Sequence, residues 1–529
     1  MDEMTNKGDL AAQYDHLVLE REVFLERARE CSKVTIPMLI PPSTSGKHTN
    51  YPTPYQSIGA RGVNNLASKL LLSLFPPNSP FFSMRVDDFT AQEIAQEEGA
   101  RAKVDEALGK YERAVMQSIE DSGDRSAHFE ALKHMIVGGN VLLHLPKDGS
   151  TRVYPLSRYV VTRDPSGEML KCIIMEEMNY KNLPKEIAEA VAEGMKNEHG
   201  EVSPTATVKL HTCFHLEDGK IKSFQEVNGV RVPDSEGQWP KEKSPVVALR
   251  WTRIDGEDYG RGYVEEYLGD LISMEGLSKA LLEGATAAAR LVFLVNPNGV
   301  TRARDVLNAE NGAAVAGNPQ DIVPLQVQKQ ADMSVAERQI ASIADRLAYA
   351  FLMNSAVQRQ GERVTAEEVR YMAGELEDAL GGVYSILSQE YQLPYVNRVI
   401  ARLTKMKKLP SLPKGVATPT IVTGLEALGR GHDLNKYDMF LKALMPLGPE
   451  VLGQFMNVGD YITRIGTSLG IDIDGLIKTP EQMQQEQQAA QQKQQQAQMM
   501  DMAKGAVPAI AKEGAAAMAA NMNPNQGAQ

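Results

Sequence analysis

A chain of 529 residues has room for about three or four domain-sized units, and an apolar share of 43% supplies an ordinary globular core. The formal net charge of −12 excludes a protein that grips nucleic acid over a broad basic surface, though not one past which DNA slides. Cys31, Cys172 and Cys213 stand apart with no paired spacing, so a reducing compartment is expected and a disulfide scaffold is not.

The opening decapeptide MDEMTNKGDL is polar and acidic, without the apolar region of a signal peptide. No apolar run reaches the roughly 20 residues a membrane span requires, so a soluble protein with no membrane insertion is expected. Residues 10–34 read as a helix with Leu17, Phe24 and Ala28 on one face, followed by a Pro-rich loop over 36–55. A second, apolar helix over 58–75 stops at Pro76-Pro77, because proline has no amide hydrogen to donate. Two further helical stretches lie near 91–121 and 125–137.

From Gly139 to about Arg253 the period changes to two. Val208, Leu210, Thr212, Phe214 and Leu216 alternate with Lys209, His211, Cys213, His215 and Glu217. Asp218-Gly219 and Asn228-Gly229 mark tight hairpin turns, which predicts an antiparallel meander in a β-rich module. Helical spacing returns over 262–290, a Pro/Gly/Asn-punctuated stretch over 291–330 reads as short strands and turns, and Ser334-x-x-Glu337 reads as a capping box opening the next helix. Two long helices thus bracket a small insert.

Beyond it, a short loop carries Arg359 and Arg363 around Gly361, with Glu362 between them. Thr365-Ala366-Glu367-Glu368 is a second capping box, and Val369, Met372, Leu376, Leu380, Val383 and Leu387 continue as an amphipathic helix. Gly381-Gly382 and Pro394 predict that this long lever bends. A basic, Pro-rich stretch over 405–420 leads to another helix start at Thr423-x-x-Glu426. From Thr479-Pro480 the chain becomes Gln- and Ala-rich, either a polar helix packed on copies of itself or a disordered tail. The fold class is α+β, mainly helical.

No catalytic constellation stands out. Ser45-Gly46-Lys47-His48 lacks the glycine spacing and the following Ser/Thr of a phosphate-binding loop, and reads as a connecting loop. His211, Cys213 and His215 share a strand face, but a metal site needs a fourth ligand, and a half-exposed strand face is the plainer reading. Gly260-Arg261-Gly262 and Gly429-Arg430-Gly431 lack the third glycine of a dinucleotide site and read as helix-boundary turns. Glu375, Glu377 and Asp378 sit at the spacing of a solvated helix face. No metal, no cofactor and no enzymatic activity is expected. Arg359 and Arg363 have an ordinary reading as surface salt-bridge partners. Repeated in a ring of identical copies, each becomes a circle of positive charge, the device by which pores tune what passes.

That loop and lever (354–394), with TPYQSIGARGVNNLASKLLLSLFPPNSPFF over 53–82 and TGLEALGRGHDL over 423–434, resemble the head-to-tail connector, or portal, proteins of short-tailed, autographivirus-like podophages. The likeness spans about 10–480 and is densest across 332–434. It implies a homo-oligomeric ring, usually of twelve copies, at one capsid vertex, through which double-stranded DNA is packaged and later ejected.

Residues 1–261 then correspond to a wing, 262–290 and 332–355 to paired stem helices, and 291–331 to a clip. Residues 356–364 correspond to a tunnel loop, 365–404 to a long wing helix, 405–480 to a crown, and 481–529 to a barrel helix or disordered tail. The implied channel residues are Arg359, Gly361, Glu362 and Arg363, with Lys329 and Glu337 near the stem–clip junction, where Glu337 also has its reading as a capping partner. The implied partners are the chain itself, DNA in transit, major capsid and scaffolding proteins, the terminase packaging motor, and tail adaptor and internal core proteins. The implied location is the virion, after assembly in the bacterial host cytoplasm. An oligomeric scaffold or tail adaptor without a channel remains the alternative. A packaging ATPase is disfavoured by the missing phosphate-binding loop.

Overall fold

The computed structural model describes residues 9–43, 49–77, 80–86, 100–146, 150–193, 203, 205–288, 293–324, 330–353, 374–376, 379–410, 417–422 and a few residues between 440 and 465. The chain forms two compact units, Met1–Gln96 with Ala107–Gly429, and Glu97–Glu106 with Arg430–Gln529. The first holds nearly all the described residues and is the subject below.

Asp9 caps helix α1 (Leu10–Lys33) through its carboxylate, which accepts from the Ala11 amide at 3.1 Å. Leu10, Tyr14, Leu25, Ala28 and Cys31 face inward. Arg21 is buried among them and donates to the Tyr14 hydroxyl and to the carbonyls of Ser157 and Tyr159, so its charge is met by dipoles, with the Glu22 carboxylate 3.9 Å away. Helix α2 (Ile58–Leu74) is apolar on most of its circumference and ends before Pro76-Pro77. After β1 (Phe82–Val86) and α3 (Ala100–Asp121) comes α4 (Arg125–Gly138). Its second half is buried, and it packs against both α1 and α2. Gly139 closes α4 with φ +70°, a left-handed residue that a side chain would strain.

The alternating region folds as expected into antiparallel strands: β2 (Asn140–His144), β3 (Arg152–Pro155), β4 (Tyr159–Arg163) and β5 (Met169–Asn179). Helix α5 (Lys185–Glu193) interrupts it, an element the period-two reading missed. It is short and follows Pro184, and it turns Ile187 and Val191 onto Val208, Leu210 and Val227 to close one end of the sheet. Strands β6 (Thr207–Glu217), β7 (Lys220–Val227), β8 (Val230–Arg231), β9 (Gly237–Pro240) and β10 (Val246–Arg250) follow. One six-stranded sheet runs β4-β5-β6-β7-β8 with β9 also on β7, and a three-stranded sheet runs β10-β2-β3. Both predicted hairpin turns form with two left-handed residues each, Asp218 and Gly219 at φ 51° and 69°, Asn228 and Gly229 at 49° and 78°.

Helix α6 (Tyr263–Glu266) and helix α7 (Leu268–Ala288) together occupy the predicted 262–290 helix, with a break at Tyr267. Gly262 is the N-cap of α6, so Gly260-Arg261-Gly262 is a helix-boundary turn. The insert contains β11 (Phe293–Val295), a short helix α8 (Ala303–Leu307) and β12 (Ile322–Pro324), with β11 and β12 paired antiparallel. Helix α9 (Gln330–Ala350) returns. Ser334 lies inside α9 and does not start it, because Gln330-Ala331-Asp332-Met333 contains no helix breaker and the helix extends through it.

The described end of the lever comprises α10 (Gly382–Leu387), one π-helical turn (Ser388–Gln392) and α11 (Leu393–Lys405). Leu376, Leu380 and Leu387 are buried as the spacing predicts. Gly381 has φ +51°, and the π turn immediately precedes Pro394 in the first turn of α11, so the backbone departs from a regular α-helix at both places named in the sequence. The capping box at Thr365, Val369 and Met372, and the calls on Ser45–His48, Gly429–Gly431, Thr423–Glu426 and the Gln-rich tail, lie outside the described residues. Strand β13 (Ala417–Ile421) pairs with β1.

Candidate functional site

The candidate site is the two-helix arm of α7 and α9 and its root on the body. Helices α7 and α9 lie antiparallel. Near the body, Arg346 donates to both carboxylate oxygens of Asp270 (Nε–Oδ2 3.2 Å, Nη2–Oδ1 2.8 Å), a bidentate pair that fixes rotation as well as distance. Toward the other end, Gly284 leaves room for the Met333 methyl, which would stand 2.9 Å from any Cβ placed there. The insert between the two helices holds the antiparallel pair of β11 and β12. Within it, the Asp321 carboxylate accepts from the Thr301 amide and hydroxyl, both at 3.0 Å, and these bonds hold Asp321 below the usual aspartate range.

The arm's root is dense. The Tyr263 hydroxyl donates to the Ala350 carbonyl at 2.8 Å, and the rings of Tyr263, Tyr267 and Phe351 pack edge-on or tilted. Burial pushes the Tyr263 phenol up, so it stays a donor. Asn140 accepts from the Gly260 amide at 2.8 Å and donates to the Gly260 and Gly138 carbonyls, which locks the strand after α4 to the turn before α6. Glu275 on α7 accepts from the Tyr55 amide at 2.9 Å and so ties the arm to the loop before α2.

Helix α2 grips the end of α9. A Cβ at Gly62 would stand 2.6 Å from Phe351 Cγ, so only glycine permits this approach. Asn65 donates to the carbonyls of Phe351 and Leu352 at 2.9 and 3.0 Å. Lys69 Nζ donates to the Leu352 carbonyl and to Glu375 Oε2, both at 2.9 Å. The Lys69 side chain is 6% exposed and that of Glu375 is 23% exposed, so Glu375 is the half-buried partner of a buried lysine and not the plain solvated carboxylate that helical spacing predicts.

Arg359, Gly361, Glu362, Arg363 and Lys329 lie outside the described residues. Glu337 is exposed on α9, and it caps nothing because the helix is already running there. His211, Cys213 and His215 do not form a ligand set. Cys213 is packed with Leu10, Tyr14, Val160 and Ile173, His211 lies against the Tyr14 ring, and His215 contacts Glu217. Among the described residues no group of three or more His, Cys, Asp or Glu is arranged for a metal, and no helix is long and apolar enough to cross a membrane. Sequence reasoning missed the residues at the root, Asn65, Lys69 and Glu375. Lys69 stands out only as a lysine on the apolar helix α2.

The described residues thus form an α/β body with an antiparallel pair of long helices braced at its root. Residues 7–477 match the family described as bacteriophage head to tail connecting protein. The portal protein of Escherichia phage T7 is 43% identical over 480 residues, covering 89% of each chain. That of Enterobacteria phage T3 is 43% identical over 479 residues with the same coverage, and that of Enterobacteria phage SP6 is 31% identical over 500 residues, covering 93% of this chain and 94% of its own. The chain belongs to the bacteriophage head-to-tail connecting protein family.

Proposed function

We propose that this connector acts as the portal of a phage head: copies close into a ring of twelve at one capsid vertex, and double-stranded DNA enters and leaves along the axis. The observation that carries this reading is the match to the connector family along residues 7–477, together with the braced two-helix arm. The arm's single-chain surface supports it. Tyr349 is 80% exposed on α9 and Val300 is 81% exposed in the insert, apolar area that neighbouring copies in a ring would cover.

In this reading 262–290 and 332–355 are the stem, 291–331 the clip, 356–364 the tunnel loop, 365–404 the long wing helix and 405–480 the crown, with 1–261 as the wing. The mechanism is electrostatic. Each phosphate a protein neutralises adds counterion-release affinity, so a broadly basic channel would stall the duplex. A chain of net charge −12 keeps DNA central by repulsion, and narrow rings of Arg363 and Arg359 around Gly361, partly offset by Glu362, check backward slip. Lys329 and Glu337 line the channel near the stem–clip junction. The motor docks on the clip during packaging and the tail adaptor replaces it afterwards. Capsid, scaffolding and internal core proteins meet the wing and crown.

The loop assignment is tested by Arg363→Ala in an assembling phage. Rings should form normally while DNA-filled heads fall several-fold. Failure of the variant to assemble would make Arg363 an interface residue and end the valve reading.

A further inference from the structure

The last described residues before segment 354–373 and the first after it are bonded to the same turn of α2. Lys69 Nζ reaches the Leu352 carbonyl on one side and the Glu375 carboxylate on the other, each at 2.9 Å. Asn65, one turn earlier, holds the Phe351 and Leu352 carbonyls. Leu352 has φ +52°, a left-handed conformation disfavoured for a branched side chain, and it sits where these donors hold its carbonyl. A cation at the end of α9 also meets the negative end of the helix dipole.

We propose that Lys69 is a positioning residue, a staple that fixes both ends of the arginine-bearing segment relative to the body, so that the loop's place is set by α2. This rests on the reading of that segment as the channel loop. A span whose ends are both pinned explores less space than one pinned at a single end. An ammonium suits the task because its three donors can serve a carbonyl and a carboxylate at once. The staple is invisible in the sequence because Lys69 and Glu375 are 306 positions apart.

The test measures one distance within a single chain. Cys31, Cys172 and Cys213 are buried, and burial pushes the Cys31 and Cys213 thiols up to about 12 and about 11, so introduced cysteines are labelled selectively. Nitroxides at Leu19→Cys and Gly361→Cys, in protein diluted with unlabelled copies, report the spread of the loop about the body. A second pair, Leu19→Cys with Glu236→Cys, reports the body alone.

Glu375→Ala and Lys69→Met should each broaden the first distribution roughly two-fold and leave the second unchanged. An unchanged first distribution in Glu375→Ala overturns the proposal. Broadening of both pairs also overturns it, because Lys69 would then be an ordinary core ion pair. If Lys69→Met does not fold, Glu375→Ala alone decides, since its carboxylate is already partly in water. The channel reading fails separately, through Arg363→Ala, and the distance result stands whether or not the chains form rings.

Discussion

His128, His134 and His144 sit where an imidazolium would have little water. Burial holds His134 and His144 down to about 4, and holds His128 low as well. Glu130 lies 3.9 Å from His134 but is largely solvated, so burial wins over attraction. Burial keeps the Tyr391 phenol protonated, and its hydroxyl lies in a hydrogen bond 2.7 Å from His128 Nδ1. The His128 ring also stacks on Phe75, with centroids 4.2 Å apart. A base whose folded pKa is depressed binds protons more readily when unfolded. Its stability contribution is therefore complete above about pH 6.5 and lost as pH falls toward about 4. Chemical-denaturation midpoints should drop across that window, each histidine contributing up to about 1.4 kcal/mol per pH unit. His134→Leu should remove its share of the slope, and an unaltered slope would show that His134 is already charged in the folded protein.

At the scale of elements, close backbone approaches decide how the arm meets the body. Gly139 combines φ +70° with the Arg261 carbonyl carbon only 2.4 Å from a hypothetical Cβ, whereas Gly62 faces Phe351 alone, at 2.6 Å. Gly219 has φ +69° with open space around it. Gly219→Ala should cost about 1 kcal/mol from backbone strain, Gly62→Ala about 2 kcal/mol from overpacking, and Gly139→Ala more than either. Denaturation midpoints of the three variants check this order. If Gly139→Ala is the mildest, the junction is softer than its geometry indicates.

These glycines also mark what the sequence could reveal. Asp218-Gly219 and Asn228-Gly229 were legible because a two-residue turn is determined locally, and Gly381 and Pro394 because each restricts its own backbone. Helix α5 was not, being too short to show a period inside a strand-rich stretch. Ser334-x-x-Glu337 misled because a capping pattern also fits inside a helix whose upstream residues are good helix formers. The staple at Lys69 joins residues distant in sequence, and local pattern carries no signal for it.

For the whole molecule, the central claim is that an acidic chain becomes a conduit only as a closed ring. A single copy leaves Tyr349, Val300 and Leu307 exposed along the arm and insert, and one arm encloses nothing. Heterologous contacts close a ring only when the rotation between copies divides a full turn, a property of interface geometry that residue patterns do not encode. The connector family was legible in the sequence all the same, because strings such as those over 53–82 and 354–394 are long and specific. Averaged end-on electron micrographs of the purified protein test the claim most directly. The account predicts a twelve-fold ring with an axial hole wide enough for a DNA duplex. Closed particles or open filaments would contradict it.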